Sequence, residues 1–258
     1  MILGDSHTHL DEYSTEEIPG VLERAQAASV AMIVCAGTTI GSSRVCIELA
    51  REYGELHAGV GIHPMNVDGP LDDETLRTLR DLALSDPKVV CISEIGLDFL
   101  PQSPDREVQH QAFREQIRLA RELSLPIIFH SRESHPEVLR TVREEKGQDL
   151  GGVMHYFQGD EPTAWEAMDM GLFISLARPL LRLPKLQEVA RHLPLESIVL
   201  ETDAAPQPFK KYRHNWTEPR HVLDVAEKLA ELKGISTEEV AQVTSSNLTG
   251  LLALKPAS

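Results

Sequence analysis

Six side chains of metal-ligating type recur at one kind of place, just past the end of a short apolar run: His7, His9, Glu94, His130, His155 and Asp203. Four imidazoles with two carboxylates suit a hard-to-borderline divalent ion such as zinc, manganese, cobalt or iron. Magnesium prefers all-oxygen surroundings and fits less well, although it can support activity. Two histidines one residue apart on an extended segment point the same way, so His7 and His9 can grip one ion together, with Asp203 completing that site. His130 and His155 would hold a second ion, and Glu94 could bridge the pair with its two oxygens. Six side chains on two ions leave positions open for water and substrate, as a catalytic site requires. A hydroxide shared between ions roughly 3.5–4 Å apart would be the nucleophile of a hydrolytic reaction.

The runs that must position these residues are rich in Val and Ile and span 2–3, 31–36, 57–62, 88–92, 126–129, 152–154, 172–176 and 197–200. Segments with helical signals follow nearly every one. Val21 opens a helix through Ser29, an acidic Asp72-Asp-Glu start leads a helix to Asp81, and 105–122 places Phe113, Ile117 and Ala120 on one face. On that helix Arg114, Glu115, Arg118 and Arg121 are expected to face water. Near-continuous apolar strands alternating with helices predict a parallel sheet buried on both faces. Periodicity alone leaves an open, doubly wound sheet alive. The polar residues decide for an α/β fold of the closed (β/α)8 TIM-barrel type, because only there do all strand C-termini meet at one mouth.

The 258 residues fit one such barrel, read here as a single unit over 1–258, and no linker divides them. The chain is 41% hydrophobic but 5% aromatic, enough for a core of Ala, Val, Ile and Leu. A formal charge of −15 disfavours a protein that coats nucleic acid. It does not exclude nucleic acid gripped at a centre to which two ions add about four positive charges. No apolar run is long enough for a membrane span, and the N-terminus lacks the basic region of a signal peptide. Cys35, Cys46 and Cys91 have no metal-site spacing and read as core thiols in a reduced, cytoplasmic setting. With no exposed apolar repeat and no sign of an obligate protein partner, the default is a monomer.

The full ordered set of motifs resembles the TatD family of metal-dependent deoxyribonucleases, among the amidohydrolase-like barrels. The match includes Asp5-Ser-His7-Thr-His9-Leu, Gly61-Ile-His63-Pro64 and Glu94-Ile-Gly-Leu-Asp98. It continues through Phe113, Pro126-Ile-Ile-Phe-His130-Ser-Arg132, His155-Tyr-Phe157-Gln-Gly159, Ser175, Leu200-Glu-Thr-Asp203 and Thr244 with Asn247. The resemblance implies two divalent metals and hydrolysis of DNA phosphodiester bonds, often from the 3′ end of single strands. Two stretches depart from the family pattern: 204–219, with an extra Ala and no aromatic-Leu pair, and 177–182, with Ala177-Arg-Pro-Leu-Leu-Arg182 where a Gly is common.

Carried over, the six residues are the ligands, and Glu94 and Asp203 are also catalytic, Asp203 accepting the proton of the attacking water. Its bland alternative is a helix N-cap. Glu201 either orients a ligand or forms a structural ion pair. His63 either contacts substrate or water, or fixes the turn before Pro64. Arg132 either clamps a phosphate or pairs with Glu133. Lys210 and Lys211, with Arg213, form a compact basic run that could attract a DNA backbone, with Phe209, Tyr212 and Trp216 as stacking surfaces; a solvated loop and a packed Trp216 are the alternatives. His57, His110, His135, His192, His214 and His221 are read as ordinary packing or surface residues. An amide, ester or lactone hydrolase, including one that deacylates aminoacyl-nucleic acid, would use the same metals. Relatives of that kind bridge their metals with a carboxylated lysine on the fourth strand, where this chain has Glu94 and the nearest lysine, Lys88, sits at the strand's start. A metal- or DNA-binding scaffold without turnover is the third reading.

Overall fold

The computed structural model describes residues 1–253, and within them the eight runs become eight parallel strands whose order across the sheet follows the chain. They are β1 (Leu3–Thr8), β2 (Val30–Ala36), β3 (Leu56–Val60), β4 (Val89–Asp98), β5 (Ile127–Arg132), β6 (Gly152–Met154), β7 (Phe173–Leu176) and β8 (Ile198–Leu200). Between them run α1 (Ile18–Ala27), α2 (Ile40–Glu52), α3 (Asp73–Leu84), α4 (Arg106–Leu123), α5 (His135–Glu144), α6 (Glu161–Asp169) and α7 (Pro184–His192), and α8 (Val222–Lys233) and α9 (Thr237–Leu251) follow β8. The two edges of the sheet meet. Thr8 bridges to Ala204 just beyond β8, and the Asp203 and His9 N–H groups donate to the carbonyls of His7 (3.0 Å) and Ala204 (2.8 Å). The molecule is a (β/α)8 barrel, and the open-sheet alternative falls. The last stretch of the expected unit, 254–258, lies outside the described residues.

Strand alternation sorts the side chains into layers. Ile33, Cys35, Ile127, Phe129 and Met154 pack outward in the cluster shared with the helices. Met32, Val34, Ile128, Val153 and Val199 pack inward, where Leu248 and Leu252 from the end of α9 close the N-terminal side of the barrel. Burying each of these large side chains stabilises the fold by about 1.5–3 kcal/mol. Two residues further along, on the same inner face, stand His130, His155 and Glu201. The period of the strand therefore lifts the imidazoles out of the apolar layer and into the mouth.

Helix starts follow their caps. Asp72 accepts the Thr75 N–H at 2.7 Å, and Asp105 accepts those of Glu107 and Val108. On α4, Phe113, Ile117 and Ala120 are buried and Arg118 and Arg121 face water as expected, while Arg114 is half-buried where it and Arg118 reach across to Glu145. The apolar runs stop short of the strands that they mark. The strands β1, β4 and β5 continue to Thr8, Asp98 and Arg132, because backbone pairing such as Gly96 with His130 persists beneath side chains aimed at the mouth. The first helix starts at Ile18 rather than Val21, since Pro19 is accommodated in its opening turn.

Gly96 makes the close approach of β4 to β5 possible. Its φ is +143°, and a Cβ there would lie 2.1 Å from the His130 carbonyl oxygen, a backbone atom that cannot swing aside. Gly96→Ala is expected to cost about 3 kcal/mol or more, from strain and overpacking together. Thermal unfolding checks this, and an unchanged Tm would show that the two strands separate freely.

A second polar cluster anchors the long β8–α8 connection. Glu218 is 2% exposed and takes both Arg24 nitrogens at 2.8 Å, with Arg213 at 2.8 Å and Arg220 at 3.1 Å. Burial pushes its carboxyl up, but Arg24, then Arg213 and Arg220, outweigh that and hold it below the usual range. A depressed carboxyl contributes stability above its unfolded value of about 4.3, and that contribution is lost as pH falls through the folded value. Glu218→Gln is expected to cost about 3 kcal/mol at pH 7, roughly 6–12 °C in Tm. The gap to the unsubstituted protein should narrow below about pH 4; a gap independent of pH would assign the loss to packing.

Candidate metal centre

Glu94 stands on β4, 3% exposed, with imidazoles gathered around each oxygen. Its Oε2 lies 3.3 Å from His7 Nε2 and 3.6 Å from His9 Nε2. Its Oε1 lies 2.8 Å from His155 Nε2, 3.0 Å from His130 Nδ1 and 3.3 Å from His63 Nε2. Asp203 reaches His9 Nε2 with Oδ1 at 3.3 Å, and the His7 and His155 rings stack at 4.0 Å. The fold thus brings all six sequence candidates to one point and adds His63. Ligand-type atoms of His7, His9 and Glu94, of His7, His155 and Asp203, and of His63, Glu94 and His130 form three sets, each within 4.8 Å. Just past their strands the chain turns through left-handed backbone at Glu133, Tyr156 and Asp203. For Asp203 that conformation is among the less costly for a side-chain-bearing residue. No helix begins there, so Asp203 is not an N-cap.

Charge is strongly organised here. Burial opposes ionisation of Glu94, yet His63, His155 and His7 hold it well below the usual carboxylate range. Burial likewise opposes protonation of His9, but Asp203 and Glu94 raise it to about 10. His155 rises through Glu94 and Glu201, and His130 through Asp98 and Glu94, against the same opposition from burial. Asp203 falls to about 2 because His9 outweighs its burial. His7 moves the other way, lowered by burial and by its neighbour His155. Both ring nitrogens of His7 and Nδ1 of His9 are buried without a hydrogen-bond partner. His7 Nε2 is near Glu94 but not aligned to donate to it. Unpaired buried nitrogens beside a carboxylate are what a bound cation would satisfy, so the residues fit a metal.

Carboxylates back two of the rings. Asp98 Oδ2 is 2.9 Å from His130 Nε2, and Glu201 Oε1 is 3.2 Å from His155 Nδ1, with Ser175 Oγ donating to Glu201 Oε2 at 2.6 Å. Asp98 closes the Glu94-Ile-Gly-Leu-Asp98 motif, and the sequence alone assigns it no role. The even spacing of 94, 96 and 98 on one strand was the available signal. His63 Nδ1 accepts the Met65 N–H at 3.1 Å, so its neutral ring carries the proton on Nε2, facing Glu94. It both fixes the turn and faces the site.

A cavity of about 540 Å³ opens over the cluster, lined by His9, His63, Glu94, His130, His155 and Asp203 together with Asp98, Arg132 and Tyr156. Arg132 is half exposed and lies 3.8 Å from Asp98, with no ion pair to Glu133 among the described residues. Glu133 lines the same cavity without pairing with Arg132. His135, read as an ordinary residue, also lines the cavity, and its Nδ1 is 2.6 Å from Ser131 Oγ. Its place at the first turn of α5 swings it to the mouth. Lys210 and Lys211 are not brought into the cavity. Lys210 donates to the Asn215 carbonyl at 2.9 Å, and Lys211 sits 5.0 Å above Tyr212. Trp216 is covered by Arg213 at 4.3 Å, whereas Phe209 (81%) and Tyr212 (49%) stay exposed. The buried thiols of Cys35 and Cys46 lie 3.2 Å apart beside Asp11, a proximity between strand and helix that spacing did not reveal.

A barrel mouth that gathers buried histidines around a shared carboxylate defines a metal-dependent hydrolase. The pattern of TatD related DNases matches residues 4–253, and the chain belongs to the TatD family. It is 35% identical to the metal-dependent hydrolase YabD of Bacillus subtilis, over 98% of this chain and 100% of that protein. It is 34% identical to the human deoxyribonuclease TATDN3, over 95% of this chain and 92% of the relative. The crystal structure of YJJV, a TatD homologue from Escherichia coli, superposes with a TM-score of 0.88 at 29% identity, covering 98% of each chain. No described helix is long and apolar enough to cross a membrane.

Proposed function

We propose that this chain is a deoxyribonuclease that hydrolyses phosphodiester bonds, acting as an exonuclease from the 3′ end of single strands. The observation that carries the reading is Glu94 itself, with one set of imidazoles on each oxygen. It supports a bridging carboxylate between two ions, one held by His7, His9 and Asp203 and the other by His130 and His155. Lys88 cannot take that place, because its Nζ is bound to the carbonyls of Ala50, Tyr53 and Gly54 at the opposite end of the strand. The human relative's name adds DNA as the substrate class.

Divalent ions bound there would make a water nucleophilic at neutral pH and offset charge on the phosphoryl oxygens. The chain's own groups do the rest. Asp98 accepts a hydrogen bond from His130 Nε2–H and Glu201 one from His155 Nδ1–H, which in the neutral rings leaves Nδ1 and Nε2 respectively with a free lone pair. Asp203, about a third open to solvent and ionised at neutral pH, accepts the proton of the attacking water. Arg132 is placed to bind a phosphate oxygen at the rim.

Metal-reconstituted protein incubated with single-stranded oligonucleotides labelled at either end tests the proposal. A metal-dependent ladder that starts at the 3′ end and disappears with chelator supports it. No cleavage with metal still bound would overturn it in favour of ester or amide substrates.

A further inference from the structure

The mouth of the barrel is electrostatically divided. The connections after β1 to β4 (9–17, 37–39, 61–72 and 99–105) hold seven acidic residues, from Asp11 to Asp105, and no lysine or arginine. Those after β5 to β8 (133–134, 155–160, 177–183 and 201–221) hold six basic residues, and Arg132 ends β5. Arg213 is committed to Glu218 and to Glu17 across the boundary between the halves, and Arg220 to Glu218. Arg178, Arg182, Lys210 and Lys211 have no carboxylate within 4.0 Å among the described residues, where Arg178 Nη1 donates only to Thr217 Oγ1 at 3.3 Å. Of the acids on this side, Glu201 and Asp203 face imidazoles, Glu218 is ringed by arginines and Asp160 caps α6, which leaves Glu133. Because β5, β6, β7 and β8 are neighbours in that order, these cations succeed one another around half the rim.

We infer that the phosphates flanking the scissile bond of single-stranded DNA lie along this half of the rim, from Arg132 over Arg182 and Arg178 to Lys210 and Lys211. The inference rests on the phosphodiesterase reading and adds the path and polarity of the substrate. A chain of net charge −15 repels a polyanion in general, so productive approach needs a local arc of opposite sign. Tyr156 lies in the arc and lines the metal cavity. In the same connection as Lys210 and Lys211, the Tyr212 ring stacks on His214 at 5.4 Å and Phe209 is exposed, aromatic surfaces on which bases can stack.

The test measures binding of a fluorescent 12-nucleotide single strand to metal-loaded Asp203→Asn protein, which leaves the strand intact, between about 50 and 200 mM salt. Each phosphate contact contributes about 0.7 to the slope of log Kd against log salt. Arg178→Gln with Arg182→Gln should lower the slope by about 1.4 and weaken Kd roughly ten-fold, and Lys210→Gln with Lys211→Gln should do the same. Lys185→Gln, on the outer helix α7, is the control and should change neither. If both double variants keep the slope and Kd while the unsubstituted enzyme cuts DNA, the path is wrong and the nuclease reading stands. If the unsubstituted enzyme neither binds nor cuts oligonucleotides, the nuclease reading falls and the inference with it.

Discussion

Asp203→Asn is expected to keep the fold and most of the bound metal while kcat on single-stranded DNA falls about 10²–10⁴-fold. The asymmetry follows from where this carboxylate stands. Its side chain is 31% exposed, against 4% for Glu94 and 0% for Glu201, so it is the one acid of the cluster open to an incoming water. With its carboxyl at about 2 it is ionised at any pH where the protein works, and can take a proton. Asparagine keeps the shape and an oxygen near His9, so coordination suffers less than proton transfer. Metal content, Tm and single-turnover rates on labelled DNA separate these effects. Near-normal turnover at normal metal content would remove Asp203 from the role of base.

The positions of the imidazoles were readable because strand period is strict. Ile128 and His130, Val153 and His155, and Val199 and Glu201 are pairs two apart, so an apolar core position implies a mouth position one step on. What stayed hidden depends on tertiary neighbours. Asp98 stands at the end of the fourth strand in the sequence too, but its role depends on the ring it meets, and only the pairing of β4 with β5 brings it to His130. His135 escaped because a helix's first residue can face any direction until its strand is placed. The closing bridge from Thr8 to Ala204 joins residues almost two hundred positions apart, and the Cys35–Cys46 contact joins a strand to the helix covering it. Lys210 and Lys211 were read as candidates from local charge. Their relation to Arg178 and Arg182 needed the strand order, because only adjacency of β7 and β8 makes the four successive along the rim.

Glu94→Gln is expected to be the more damaging change at the centre, and its effect should appear first in metal binding. One buried carboxylate faces five imidazoles within 3.6 Å, two on one oxygen and three on the other. Glutamine retains the volume but offers a single oxygen, so one group of histidines meets an NH2 donor where a bridging acceptor stood. Affinity for at least one ion should be lost, and with it several kcal/mol of charge stabilisation, which corresponds to about 10³-fold or more in rate. The metal-free protein should lose stability as well, by about 3 kcal/mol, because the substitution takes the carboxylate from buried histidines that it holds protonated. Binding to the folded state raises Tm by mass action, so added zinc or manganese should raise the Tm of the unsubstituted protein and leave the variant's nearly unchanged. A variant that still gains Tm on adding metal and still turns over would show that the two groups of histidines hold their ions without Glu94, and the bridge would have to be assigned elsewhere.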